Sequence, residues 1–259
     1  MTSNSTGRPV ALLTGVSRKI GIGAAITLAL AEAGWDVATT YWRPYDATMP
    51  WGSQETEAEM VVAQVGNSGV NGFTMEADLA QPETPAHIFE RTQEMLGPVT
   101  ALVMAHCHSV DSNLLNTTLE SFDLHFAVNA RATWLLVREF GLRYTGAFGN
   151  GRIIAITSDH TVENLPYGAS KGAMDRIVLA ATHEFKHLGV TANVINPGAT
   201  DTGWMSPEQL AMERQRPPLG RVGLPQDCAN LVRFLCSAEG GWINGQLLYS
   251  DGGVTHGQR

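Results

Sequence analysis

The sequence predicts an α/β protein, a doubly wound parallel sheet of about seven strands with helices on both faces, in one domain over residues 1–259. Three observations carry that expectation. Short apolar runs alternate with longer amphipathic segments, the pattern of strands joined by crossover helices. The strongest run, Ile153-Ile154-Ala155-Ile156, is apolar throughout, as in a parallel strand buried on both faces. The first run leads into a glycine-rich segment, Thr14 to Gly23, that opens a helical one.

In chain order, Val10 to Leu13 is the first strand and Ala24 to Ala33 a helix, with Gly34 as its C′ residue. Val37 to Tyr41 is short and β-branched, a second strand. Gln54 to Gly66 reads as helix, Gly72 to Glu76 as strand, Pro85 to Leu96 as helix and Ala101 to Ala105 as strand. Leu119 to Phe140 is one long helical segment with Phe122, Phe126, Leu135 and Leu136 on it. Arg152 to Thr157 is the fifth strand, Tyr167 to Leu188 a helix and Thr191 to Asn196 the sixth strand. Pro225 to Ser237 is a further helix and Gln246 to Tyr249 the last strand. Two stretches are expected to be irregular: 43–53, with Pro44, Pro50 and Gly52, and 200–219, with Pro207, Pro217 and Pro218. Long irregular loops in a compact domain are often functional lids.

Composition narrows the class. With 44% apolar and 16% charged residues the chain can bury a large core and is not globally disordered. There are 17 Lys and Arg against 25 Asp and Glu, a net charge of −8, which argues against nucleic-acid and anionic-membrane partners. Three widely spaced cysteines, Cys107, Cys228 and Cys236, fit a reducing compartment rather than a disulfide framework. Residues 1–8 are expected to form a flexible tail without the basic and apolar regions of a signal peptide. The expectation is a cytoplasmic protein.

The segment Thr14-Gly15-Val16-Ser17-Arg18-Lys19-Ile20-Gly21-Ile22-Gly23 sits where a dinucleotide loop belongs, after the first strand and before the first helix. Glycines let backbone approach a pyrophosphate, and a helix N-terminus offers N–H donors. Gly15, Ser17, Gly21, Ile22 and Gly23 are the candidates; an ordinary strand-to-helix turn is the bland alternative. In such sites an acidic residue ending the second strand binds the adenosine ribose, and an Arg there favours a 2′-phosphate. Here the strand ends Thr39-Thr40-Tyr41-Trp42-Arg43, and no carboxylate appears before Asp46. Arg18 and Arg43 can both meet a phosphate, so NADP(H) is favoured and NAD(H) stays open. Arg43 also reads as a solvated loop charge.

Tyr167-Gly168-Ala169-Ser170-Lys171 is the most informative segment. Residues at i and i+4 share a helix face, so the Lys171 ammonium can lie near the Tyr167 phenol. A nearby cation lowers a phenol pKa that is ordinarily about 10, giving an acid for a carbonyl oxygen or a base for a hydroxyl. The segment follows an apolar strand ending Thr157-Ser158.

Together these segments resemble the short-chain dehydrogenase/reductase family, from about Val10 to Gly253, and its Tyr-x-x-x-Lys carbonyl reductases, similar to 3-oxoacyl-ACP reductases. The resemblance implies a single-domain Rossmann fold with catalytic Asn129, Ser158, Tyr167 and Lys171. Ser158 would bond the substrate oxygen, and Asn129 would hold a water of the proton relay. Tyr167 would exchange the proton, and Lys171 would lower its pKa and anchor the nicotinamide ribose. Asp78 and Leu79 would lie beside the adenine, and Ala105 would line the cofactor with its backbone. Pro197 and Gly198 would pack on the nicotinamide face, and Thr202 would reach its carboxamide. Asn244-Gly245-Gln246 and Asp251-Gly252-Gly253 match as well. The family assembles mostly as dimers or tetramers, which implies a homotetramer or homodimer here.

The sequence departs from the family pattern in three places. Five residues separate Gly15 from Gly21, with Lys19 and Ile20 extra, a widening also found among enoyl reductases. Met104-Ala105-His106-Cys107 stands in place of Asn-Asn-Ala-Gly. Eight residues lie between Ser158 and Tyr167, fewer than is common. Substrate identity is expected in loops 106–117, 159–166 and 200–219, with His106, His108, Asp159, His160 and Trp204 as candidate contacts. Asp159 and His160 also read as a solvated turn, and Trp204 with Met205 as simple packing. His106-Cys107-His108 is not read as a metal site, because neighbours at a strand end diverge and no second ligand pair follows. The expected activity is NAD(P)-dependent interconversion of a ketone or aldehyde and an alcohol. An enoyl reductase, or a dinucleotide-binding sensor without chemistry, are the alternatives.

Overall fold

The computed structural model describes residues 7–255, so most of the expected tail at 1–8 lies outside the described residues. The chain runs β1 (Val10–Thr14), α1 (Ile22–Glu32), β2 (Asp36–Tyr41), α2 (Arg43–Thr48), α3 (Glu57–Val65), β3 (Gly72–Glu76), α4 (Thr84–Met95) and β4 (Val99–Met104). It continues through α5 (Leu119–His125), α6 (Ala132–Arg143), β5 (Arg152–Ile156), α7 (Leu165–Glu184) and β6 (Thr191–Asn196). The last elements are α8 (Pro207–Glu213), α9 (Pro225–Cys236) and β7 (Leu247–Tyr249). One sheet holds the seven strands in the order β3-β2-β1-β4-β5-β6-β7. Every pairing is parallel.

Side-chain alternation explains why the strands are apolar on both faces. Along β1, Val10 and Leu12 join the core under α4, α6 and α7, with Ile88, Phe140 and Val178. Ala11 and Leu13 point the other way and meet Ile26 and Leu30 of α1 and Val232 of α9. Each residue of β1 is therefore buried.

The two stretches expected to be irregular each contain a helix. Pro44 and Pro207 stand in the first turns of α2 and α8, where the missing N–H costs nothing. Ser206 and Gln209 form a capping box that starts α8. The long helix expected at 119–140 is divided by a π turn over Phe126–Arg131, and Asn129 lies within it. Such turns accommodate one extra residue and gather at functional sites.

The strand order reverses direction between β1 and β4, the switch point at which such sheets open a crevice. The segments after β1, β4, β5 and β6 all emerge there.

Candidate active site

Close backbone approach builds the floor of the crevice. Gly15 has φ +78°, and a Cβ there would stand 2.5 Å from the His106 amide nitrogen. A Cβ on Gly23 would stand 2.6 Å from the Gly15 carbonyl oxygen. Only glycine lets β1, α1 and the segment after β4 meet this closely. Gly21 is the N-cap of α1 and no side chain caps that helix, so the first-turn amides remain for an anion. The two extra residues bulge outward: the Lys19 N–H donates to Glu57 Oε1 at 2.8 Å, and Ile20 is 55% exposed. The widened loop therefore keeps its glycines at the helix start.

A cleft of about 730 Å³ opens above this floor. Gly15, Ser17, Arg18, Gly21, Ile22 and Gly23 line one end, and Ala105, Pro197, Gly198 and Thr202 line the middle. Ser158, Asp159, His160, Tyr167, Lys171 and Trp204 line it as well. The glycine cradle, the uncapped helix and the depth of the cleft fit a dinucleotide. The Arg18 guanidinium donates to the Thr202 carbonyl at 2.9 Å and lies 4.3 Å over the Trp51 ring, which stands 4.7 Å from Trp204.

The Tyr167 hydroxyl shares a hydrogen bond with the Ser158 hydroxyl, whose oxygen also accepts from the His160 N–H at 3.2 Å. The Lys171 ammonium is buried and donates to the carbonyls of Ile156 at 2.9 Å and His106 at 3.3 Å. It sits 5.8 Å from the centre of the Tyr167 ring. Burial lowers the Lys171 pKa, against the pull of Cys107 and Asp175. Contrary to the expectation of a lowered phenol, burial pushes Tyr167 above the ordinary tyrosine range, Cys107 adds to this, and Ser158 only partly offsets it. The ammonium faces carbonyls rather than the phenolic oxygen, so desolvation wins.

Asn129 is fully buried and its amide is committed to protein. Its Oδ1 accepts from the His108 N–H at 2.7 Å, and its Nδ2 donates to the His108 carbonyl and to Ser170 Oγ, both at 2.9 Å. It braces the π turn against α7 and the segment after β4.

Several expected contacts are bonded within the protein or stand outside the cleft lining. His106 is buried, with Nδ1 2.6 Å from Thr14 Oγ1 and Nε2 3.1 Å from the Val128 carbonyl oxygen. Burial, helped by Lys171, lowers its pKa to about 3, so the ring is neutral. A carbonyl can only accept, so Nε2 carries the proton and Nδ1 accepts from Thr14. The ring thus ties β1 to the π turn, and the residue still lines the cleft. His108 lies outside the cleft, its ring 5.3 Å from Tyr45 and 4.6 Å from His125. Asp78 spends its carboxylate on the Ala80 N–H and the Gln81 amide, at 2.9 and 3.1 Å, and Leu79 is buried in the core. Arg43 is paired with Glu76 at 3.1 Å, though it borders a small polar depression shared with Ser17, Arg18, Ser53 and Gln54.

Cys107, Ser109, Asp111, Glu163 and Asn164 also line the cleft and were not singled out as contacts in the sequence. Only their place in the loops at 106–117 and 159–166 pointed to them. Trp51, in the other irregular stretch, carried no motif at all.

A parallel sheet with a glycine cradle at its switch point, and a half-buried tyrosine with a buried lysine beside it, is the architecture of a Rossmann-type oxidoreductase. A family model described as Enoyl-(Acyl carrier protein) reductase matches residues 15–255. The chain is 34% identical over 253 residues to the oxidoreductase YjdA of Bacillus subtilis (strain 168), covering 96% of this chain and 97% of that protein. A solved short chain dehydrogenase from Burkholderia cenocepacia J2315 in complex with NADP superposes with TM-score 0.84 at 30% identity, over 98% of this chain and 100% of that one. The angucycline C-6 ketoreductase LanV with bound NADP gives TM-score 0.82 at 30% identity, covering 98% of each chain. The chain belongs to the short-chain dehydrogenase/reductase family, a family of NAD(P)-dependent oxidoreductases. No helix among the described residues is long and apolar enough to cross a membrane.

Proposed function

We propose that the protein interconverts a small ketone or aldehyde and the corresponding alcohol, with NADP(H) as the preferred cofactor. The observation that carries this reading is the Tyr167–Ser158 hydroxyl pair, standing in the same cleft as the glycine cradle and Lys171. The first-turn amides of α1 and the backbone at Gly15 would receive the pyrophosphate. Lys171 would hold the nicotinamide ribose, with Pro197 and Gly198 against the ring. The bound nicotinamide supplies or takes up the hydride.

The protein's own part is proton management and orientation. Tyr167, kept protonated by burial, donates its hydrogen to the carbonyl oxygen in reduction. Ser158 holds that oxygen by a second hydrogen bond. Asn129 acts through other groups, fixing the segment after β4 and the first turns of α7. Arg18 and the polar depression at Ser17, Ser53 and Gln54 support a 2′-phosphate, as do the NADP complexes of the two solved relatives. Leu115 and Trp242, each 97% exposed, are large apolar side chains that a second copy of the chain would cover, in keeping with a homodimer or homotetramer.

Carbon–carbon double-bond reduction is the second reading, favoured by the widened glycine loop. The outward bulge of Lys19 and Ile20 leaves the cradle unchanged, and the Tyr-x-x-x-Lys spacing favours carbonyl chemistry. A panel of ketones, aldehydes, alcohols and enones, assayed with NADPH and NADH by nicotinamide absorbance, tests both. Carbonyl turnover faster with NADPH is the expected result, and enone-only turnover would overturn it.

A further inference from the structure

The mouth of the cleft carries carboxylates that the proton and hydride chemistry leaves unused. Asp159 and Glu163 line it from the loop between Ser158 and Tyr167, and Asp111 lines it from the segment after β4. The backbone that carries them is packed against the site, though the three residues are exposed. The His160 N–H is bonded to Ser158 Oγ, and a Cβ on Gly168 would lie 1.8 Å from the His160 carbonyl oxygen. The loop backbone therefore rests directly on the start of α7. Asn164 Nδ2 donates to Asp111 Oδ1 at 2.7 Å and to Ser109 Oγ at 2.9 Å, which ties the two lining segments together. Since a carboxylate only accepts, that bond fixes the amide's orientation. Glu163 is the single non-glycine residue at positive φ among the described residues, at +62°. It stands in a conformation that L residues rarely adopt.

Positive charge does not balance these groups. Arg216 lines the cleft but is paired with Glu213 at 2.9 Å. Arg18 and Lys171 are turned to backbone carbonyls. Among the described residues no ion pair is formed by Asp111, Asp159 or Glu163. A cleft with an excess of one sign of charge raises the local concentration of ions of the other sign and repels its own. A rim that repels wrong ligands supplies specificity without tightening the right one.

We propose that the substrate is a small uncharged or amine-bearing carbonyl compound, and that Asp111, Asp159 and Glu163 exclude carboxylate- and phosphate-bearing ones. This inference rests on the carbonyl reading above. Its test uses three ketones of similar size: hydroxyacetone (neutral), aminoacetone (cationic) and pyruvate (anionic). The quantity read is kcat/KM with saturating NADPH. Three exposed rim carboxylates should hold pyruvate about tenfold or more below hydroxyacetone, with aminoacetone at or above it. The gap should shrink in about 0.5 M NaCl, where screening reaches only a few ångströms. In the double variant Asp159→Asn, Glu163→Gln the ratio of pyruvate to hydroxyacetone should rise by about tenfold.

Pyruvate reduced as well as hydroxyacetone, or a ratio that neither salt nor the double variant moves, overturns the proposal while leaving the carbonyl reading intact. Failure of both hydroxyacetone and aminoacetone also overturns it. The wider panel then reports separately on the carbonyl reading. The salt dependence of the native protein provides the readout should the double variant fold poorly.

Discussion

A methyl group at position 15 would need 2.5 Å of clearance from the His106 amide nitrogen on a backbone held at φ +78°. Gly15→Ala is therefore expected to destabilise the protein by about 2 kcal/mol or more and to weaken dinucleotide binding, read by urea unfolding and NADPH titration. The buried ring beside it sets an acid limit on stability. His106 has its pKa lowered to about 3, chiefly by burial. The folded state then binds fewer protons than the unfolded chain below pH 6.5, so stability falls as pH drops from about 6.5 toward 3. The slope from this residue approaches about 1.4 kcal/mol per pH unit, and His106→Asn should flatten it whatever it does to stability at neutral pH. At this scale the sequence located Tyr167, Lys171 and Ser158, because each belongs to a short motif at a strand end or on a helix face. It did not show how the His106 and His108 rings are held, since residue type and strand end do not tell which way a ring turns. Thr14 and the Val128 carbonyl decide that for His106, and His125 for His108.

The π turn at Phe126–Arg131 shows what element-level reading leaves out. The apolar spacing of Phe122, Phe126, Leu135 and Leu136 is compatible with one helix. Nothing local announces the extra residue that turns Asn129 toward His108 and Ser170. Removing that amide would leave the His108 backbone groups without partners inside the protein. Asn129→Ala is expected to cost about 2–4 kcal/mol in urea unfolding and to reduce kcat, because the same bonds hold α7 in register with the segment after β4. In contrast, β3 and β6 appear with the bounds expected, since each is a short run between clear turn residues. Helices α2 and α8 were hidden by their prolines, which mark helix starts as readily as loops.

For the whole molecule, the alternation of apolar runs and amphipathic segments was enough to foresee a doubly wound sheet of seven strands. Of the charge lining the crevice at the switch point, only Asp159 was legible, because Asp111 lies far off along the chain, Glu163 carries no motif, and the three share one cleft only in the fold. Burial in this cleft also sets the pH dependence of the two directions. A phenol pushed above its ordinary range stays protonated through neutral and moderately alkaline pH. Carbonyl reduction should therefore keep its proton donor over that range, while alcohol oxidation, which needs the phenolate, should climb with pH without a plateau below about pH 10. Initial rates in both directions from pH 6 to pH 10 check this.

Tyr167 is proposed to exchange the proton, while other residues of the same cleft build the cofactor cradle. Comparing Tyr167→Phe with the native protein for carbonyl turnover at saturating NADPH, alongside the NADPH Kd by fluorescence titration, tests it most directly. Turnover is expected to fall by about 10²–10⁴-fold or more, with the Kd little changed. Near-native turnover by the phenylalanine variant would contradict it.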